Sequence, residues 1–380
     1  MNKLALSDDI LMKVEKPARY IGGEVNAVVK NKEEVDMRIA FCFPDVYEIG
    51  MSHLGIQILY DMFNRFDGVW CERVYSPWPD LHKIMKEEDI PLFALETQDP
   101  IKDFDFVGIT LQYEMCYTTV LQMLSMGNIP LLASERGEDC PLVIGGGPCS
   151  YNPEPIADFF DLFNIGEGEQ MLVDIVRLYI RMKEGGRYTR AAFLHEAART
   201  IPGVYVPSLY RVTYHEDGTV EAYMPVYDDI PKRVKKQIIQ DMDKAFFPEK
   251  LVMPYIDTVH DRIVLEPARG CIRGCRFCQA GMVYRPVREK TPEVLDAQAR
   301  ALYASTGYEE VSLCCLSISD YTKVDELTDR LLTWTDPNMV SLSLPSLRVD
   351  SFTKELMEKV ASVRASSITF APEEHSGCGM

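Results

Sequence analysis

No run of these 380 residues is apolar for long enough to span a bilayer, so no membrane-crossing helix is expected. No secretory leader is expected either: in MNKLALSDDILMK, Asp8 and Asp9 fall where a leader needs its apolar stretch. The expected location is the cytoplasm, without a membrane partner. Positive charge is scarce, with 40 Lys and Arg against 58 Asp and Glu and a net charge of −18. That argues against a broad nucleic-acid-binding face, while leaving room for a local basic patch. Internal repeats and low-complexity tracts are absent, which argues against a repeat array. What remains, at 47% hydrophobic and 26% charged residues, is a globular chain too long for one ordinary core. Two domains are expected.

The 11 cysteines of a chain expected in the cytoplasm point to thiols and metal ligands rather than disulfides. Three of them, Cys271, Cys275 and Cys278, stand together in ARGCIRGCRFCQAG. The spacing C-x3-C-x2-C supplies three thiolates to one small inorganic group. A structural zinc site closes with four protein ligands, and an ordinary [4Fe–4S] cluster takes four cysteines. Three thiolates leave one metal position open for a substrate or cosubstrate. The alternatives are a zinc site closed by a distant histidine and three unrelated core cysteines. Local charge favours an anionic cluster: from Asp261 to Lys290 there are seven basic residues (Arg262, Arg269, Arg273, Arg276, Arg285, Arg288, Lys290) against three acidic ones (Asp261, Glu266, Glu289). The other cysteines look ordinary. Cys42, Cys314 and Cys315 lie in apolar strand-like runs and read as core, and Cys71, Cys116, Cys140, Cys149 and Cys378 show no ligand spacing.

The first part of the chain alternates strands and helices. Strands are expected at 37–43 (MRIAFCF), 69–74, 106–111 and 142–145, with a short one in DLFNIGEGE. Ser52 is expected to cap the helix HLGIQILYDMFN, and a later helix carries Leu172, Ile175, Val176 and Tyr179 on one stripe. Such alternation predicts a doubly wound, Rossmann-like parallel sheet with ligands at the carboxyl ends of its strands. Glycine turns follow two strands, at Gly145, Gly146 and Gly147 and at Gly166 and Gly168. They either admit a ligand to the backbone or simply allow tight turns. Residues 203–226 read as a hairpin around Asp217-Gly218, and 231–257 as an extended linker. The expected domains are 1–190, a hairpin and linker over 191–257, and 258–380.

In the last of these, strand 262–266 (RIVLE) runs into the cysteine loop, with Gly270 and Gly274 for tight turns. Thr291 and Pro292 start a helix that Gly307 stops, with Leu295, Ala299 and Leu302 on one face. Strand 309–316, helix 323–334, strand 340–344, helix 352–362 and strand 366–370 follow. A strand, a ligand-bearing loop and a helix make the opening unit of a βα barrel.

The cysteine loop, with Phe277 before the third cysteine, resembles the cluster loop of the radical SAM enzymes. Over most of its length, from KPARYIGGE through CRFCQAGMVYRPVRE to SLPSLRVDSF, the chain resembles bacterial radical SAM proteins with a cobalamin-binding-like amino-terminal domain. The resemblance implies that Cys271, Cys275 and Cys278 hold three irons of a [4Fe–4S] cluster whose fourth iron binds S-adenosylmethionine. One electron, from a donor such as flavodoxin or ferredoxin, then cleaves the sulfonium, and the 5′-deoxyadenosyl radical takes hydrogen from an unidentified substrate. It places Phe277, Ser317, Ser319, Ser346, Arg348 and Glu373 around S-adenosylmethionine. In the first domain it places Tyr47, Gly50, Gly145, Gly146, Gly147, Gly166 and Gly168 at a cobalamin-like site. Where cobalt-ligating relatives carry D-x-H-x-x-G, this chain has Asp45-Val46-Tyr47-Glu48-Ile49-Gly50, and nearby His53 reads as a cap residue. Either cobalamin binds without a protein histidine, or the domain keeps the fold and binds something else. The family core has six βα units and about four are legible, so the chain reads as truncated, with 366–370 as a bare outer strand. Two other classes stay open: an RNA-modifying, methylthiotransferase-like enzyme, for which no second cysteine trio is evident, and a non-catalytic iron–sulfur redox module.

Overall fold

The computed structural model describes residues 6–345, 347–348 and 370–371. Its compact units are 1–238 with 252–258, and 239–251 with 259–380. After helix α1 (Asp8–Leu11), the first unit runs through β1 (Met37–Phe43), α2 (Tyr47–Met51), α3 (Leu54–Asn64), β2 (Val69–Tyr75), α4 (Pro79–Glu87), β3 (Phe106–Thr110) and α5 (Tyr117–Met126). It continues with β4 (Leu142–Gly146), β5 (Leu162–Asn164), α6 (Gly168–Glu184), α7 (Arg190–Thr200), β6 (Val204–Tyr205), β7 (Tyr210–Tyr214) and β8 (Val220–Pro225).

Six strands form one sheet in the order β2-β1-β3-β4-β5-β6, parallel except for β6. Apolar residues in β1, β3 and β4 are buried on both faces, as parallel strands covered by helices must be. The amphipathic α6 buries Met171, Ile175, Val176, Leu178 and Tyr179. The order 2-1-3-4-5 puts the switch in strand order between β1 and β3, so the loops after those two strands lie side by side at the carboxyl edge.

Two expectations change in this unit. Ser52 does not cap α3: it ends α2, donating its hydroxyl to Glu48 O at 2.7 Å, and His53 is the N-cap. The 203–226 stretch is not one hairpin, because Val204 and Tyr205 join the large sheet as β6, and only β7 and β8 pair around Asp217-Gly218.

The second unit carries β9 (Ile263–Leu265), β10 (Ala268–Arg269), α8 (Gln279–Val283), β11 (Arg288–Glu289), α9 (Pro292–Thr306), β12 (Glu310–Leu313), α10 (Val324–Thr335), β13 (Ser341–Ser343), β14 (Leu347–Arg348) and β15 (Phe370–Ala371). Strands β9, β12 and β13 make a parallel sheet with β12 in the centre. Among the described residues this sheet is open, not closed into a barrel. Helix α9 begins with Pro292 and ends at Gly307, whose φ of +69° suits glycine. β12 stops at Leu313, so Cys314 and Cys315 are not strand core as expected. They lie beyond its carboxyl end, Cys314 exposed and Cys315 half-buried. The expected helix 352–362, most of strand 366–370 and Cys378 lie outside the described residues; Phe370 and Ala371 pair in parallel with Leu347 and Arg348.

Candidate cofactor-binding sites

In the second unit, the chain leaves β9 and pairs Ala268–Arg269 with Arg288–Glu289, closing the base of a loop that holds all three cysteines. Gly270, at φ +88°, lies where a Cβ would meet the carbonyl oxygens of Tyr284 and Pro286 at 2.8 and 2.7 Å, so glycine is required there. Cys271, Cys275 and Cys278 are half-buried. Cys271 Sγ accepts from Arg273 N at 3.5 Å, and Cys278 Sγ accepts from Gly281 N at 3.4 Å, capping α8. Among the described residues, no group of three or more His, Cys, Asp or Glu side chains is gathered as a metal ion would need. The donors fit a thiolate-bound cluster by chemistry: three accessible thiols on one loop at the carboxyl end of a parallel strand, two of them facing backbone N–H groups.

The basic surround is largely spoken for. Arg262 pairs with Glu310 at 2.7 Å, Arg269 with Glu266 at 2.9 Å, and Arg273 with Asp320. The loop after β12 holds Ser317, Ser319 and Asp320 in a short turn. Arg273, helped by Ser317, holds the Asp320 carboxyl below its ordinary range, and Arg348 N donates to Ser319 Oγ at 3.2 Å. The structure thus brings Ser319 and Arg348 together. Phe277 stands exposed on the cysteine loop, and Ser346 and Glu373 lie outside the described residues.

In the first unit the glycine positions divide. A Cβ on Gly50 would lie 2.2 Å from the Tyr75 ring, and one on Gly145 would lie 2.7 Å from Phe163, so both serve close packing. Tyr47 faces the interior: it is 1% exposed, and its hydroxyl donates at 2.9 Å to Glu24, which pairs with the buried Arg73. Burial pushes the Tyr47 phenol up. Gly147 (φ +109°) and Gly166 (φ +121°) make turns no other residue adopts readily, and Gly146 and Gly168 are half-buried at the same carboxyl edge.

Sequence reading missed the groups the strand order assembles there. Tyr113 donates its hydroxyl to Asp45 at 3.1 Å, joining the loops after β3 and β1, and Met115 stands 84% exposed beside it. His53 accepts from Ile56 N at 3.2 Å through Nδ1 and also meets Gln112. Burial lowers its pKa to about 4. After β4 and at the end of β5, Ser150 Oγ and Asn164 Oδ1 are buried and, among the described residues, have no hydrogen-bond partner, as polar atoms awaiting a ligand would. His53 already reads as a cap in the sequence, as its capping of α3 bears out; only knowledge of the strand order could have singled out Tyr113, Met115, Ser150 and Asn164.

The family described as "Radical SAM proteins, N-terminal" matches residues 55–207, and "Radical SAM superfamily" matches residues 265–375, a span that includes the cysteine loop. The chain belongs to the radical SAM superfamily. An uncharacterized protein of Methanocaldococcus jannaschii is 24% identical over 350 residues, which are 89% of this chain and 61% of that protein. Among solved structures, the radical S-adenosylmethionine methyltransferase TsrM from Kitasatospora setae is similar in fold. With tryptophan substrate and a SAM analogue bound, it gives a TM-score of 0.54 at 13% identity, over 87% of this chain and 58% of that one. With cobalamin and a [4Fe–4S] cluster bound, it gives 0.52 at 12% identity, over 86% and 59%. This radical SAM chain spans about three fifths of the length of these proteins. Among its described residues no helix is long and apolar enough to cross a membrane.

Proposed function

We propose that this chain forms part of a cytoplasmic radical SAM enzyme that functionalises an unidentified substrate by hydrogen abstraction. The observation that carries this reading is the loop of three accessible thiols at the carboxyl end of β9, within a segment matching the superfamily. Cys271, Cys275 and Cys278 would hold a [4Fe–4S] cluster. When bound, such a cluster delivers one electron from a flavodoxin- or ferredoxin-like donor and so allows reductive cleavage of S-adenosylmethionine. The protein's own part is to bind and orient. Ser317, Ser319 and Arg348 offer hydroxyls and a guanidinium to the polar ends of S-adenosylmethionine, and exposed Phe277 offers a ring face to its adenine. The N–H groups of Arg273 and Gly281 stabilise charge on Cys271 and Cys278. Anaerobic reconstitution followed by reduction with S-adenosylmethionine should yield 5′-deoxyadenosine. Protein that takes up iron and sulfide but yields none would favour a non-catalytic redox module.

For the first unit we propose a corrinoid ligand held without a protein imidazole on cobalt. Its support is the orphaned Ser150 and Asn164 at the carboxyl edge, together with the use of His53 as a cap. Electron paramagnetic resonance of the cob(II)alamin form would test it, since nitrogen superhyperfine splitting from a protein imidazole would overturn it.

A further inference from the structure

We infer that Arg273 and Asp320 form a latch that sets the shape of the cysteine loop before any cofactor arrives, which makes them positioning residues and not ligands. The inference rests on the reading of that loop as a cluster site.

Among the described residues nothing apolar pins the loop. From Cys271 to Ala280 no residue is buried, and the two large apolar side chains, Ile272 and Phe277, are 63% and 72% exposed. Gly274 sits at φ +69° with nothing nearer to its Cβ position than 3.6 Å. A segment so poor in packing has little to hold one conformation except polar contacts.

Arg273 supplies the firmest one. Its Nε donates to both oxygens of Asp320, at 2.8 and 3.1 Å, and its Nη2 donates to Oδ1, a fork that fixes direction as well as distance. Asp320 stands on a well-anchored turn. Ile318 beside it is fully buried, Tyr321 donates its hydroxyl to Lys290 O at 2.8 Å, and Thr322 N donates to Glu289 at 2.9 Å. The loop is therefore tied across 47 positions of sequence to a turn that is itself held at several points. Charge separates this role from the obvious alternative. An arginine kept to balance an anionic cluster would keep its charge free, whereas Arg273 is neutralised by its carboxylate. Arg276, which has no ion-pair or hydrogen-bond partner among the described residues, is better placed to supply countercharge.

The test uses the full chain and the variants Asp320→Asn, Arg273→Gln and the exchanged pair Arg273→Asp with Asp320→Arg. In cofactor-free protein, amide hydrogen exchange over residues 270–281 should quicken roughly tenfold in both single variants and recover in the exchanged pair. Helix α9 should stay unchanged as an internal gauge. After anaerobic reconstitution, Asp320→Asn should take up iron and sulfide more slowly. The reduced cluster's electron paramagnetic resonance signal should then respond less to S-adenosylmethionine than in the wild type. Unchanged loop exchange, or exchange that rises equally in α9, would overturn the latch. A wild type that takes up no iron while the loop exchange behaves as expected would overturn the cluster reading and leave the latch standing.

Discussion

Replacing His53 separates a helix cap from a metal ligand, and its size can be worked out in advance. The imidazole accepts from Ile56 N and stacks obliquely on Phe43 with ring centroids 5.2 Å apart. Burial lowers its pKa from 6.5 to about 4. Across that gap the unfolded chain takes a proton that the folded chain refuses, and at ~1.4 kcal/mol per tenfold of proton concentration the difference is roughly 3 kcal/mol. The sign follows. His53 contributes fully above pH 6.5, and its contribution erodes as the pH falls, until it is lost near pH 4. Asn at this position keeps an acceptor for Ile56 N but cannot titrate, so His53→Asn should lie within about 1 kcal/mol of the wild type at pH 7.5. Urea unfolding at a series of pH values should show the variant gaining on the wild type by roughly 3 kcal/mol between pH 7 and pH 4. Parallel pH curves for the two proteins would refute the reasoning. So would loss of cobalamin binding in His53→Asn, because a cap residue has no claim on cobalt.

Other outcomes are expected elsewhere. Cys275→Ala should abolish the iron and sulfide signal of the reconstituted protein, and full iron content in the triple variant of Cys271, Cys275 and Cys278 would refute the assignment. Burial raises the Glu72 carboxyl to about 7 despite Arg38 beside it, so its protonation favours the folded state. That contribution is complete below pH 4.5 and fades as the pH rises through 7, and Glu72→Gln should flatten a slope of roughly 3 kcal/mol in unfolding free energy over that window. Gly50→Ala would drive a methyl into the Tyr75 ring and should cost about 1–3 kcal/mol, seen as a lower urea midpoint with the slope unchanged.

Much of this was legible in local pattern. The run MRIAFCF can be little other than a buried strand, and Pro292 with Gly307 brackets α9 as expected. The cysteine loop announced itself by spacing. Long-range pairing was harder to read. Nothing in the sequence says that β1 sits between β2 and β3, so the meeting of Asp45 with Tyr113 was invisible. Cys314 and Cys315 looked like strand because the apolar run continues, but β9 ends at Leu265, whose carbonyl accepts from Cys314 N at 2.8 Å, and β13 ends opposite Ser312. The cap moved from Ser52 to His53 because α2 ends at Met51 and claims Ser52 for its own close. Arg73 defied its strand context altogether: a fully buried cation is tolerable only because Glu24 and Glu96 each approach it to 2.7 Å.

One contact sets a schedule for synthesis. Val25 bridges Met253 in antiparallel fashion, and Tyr255 donates its hydroxyl to Gly23, so the opening segment of the first unit is fastened by residues 228 and 232 positions later. At about 10 residues per second a ribosome needs roughly 20 s to cover that interval. The six-stranded sheet can assemble in the meantime, since its last strand is made by Tyr205. Its N-terminal flank cannot be finally seated until the stretch around Met253 has cleared the exit tunnel. A gene fragment ending anywhere between the last strand and that stretch would release a sheet with its leading segment unfastened.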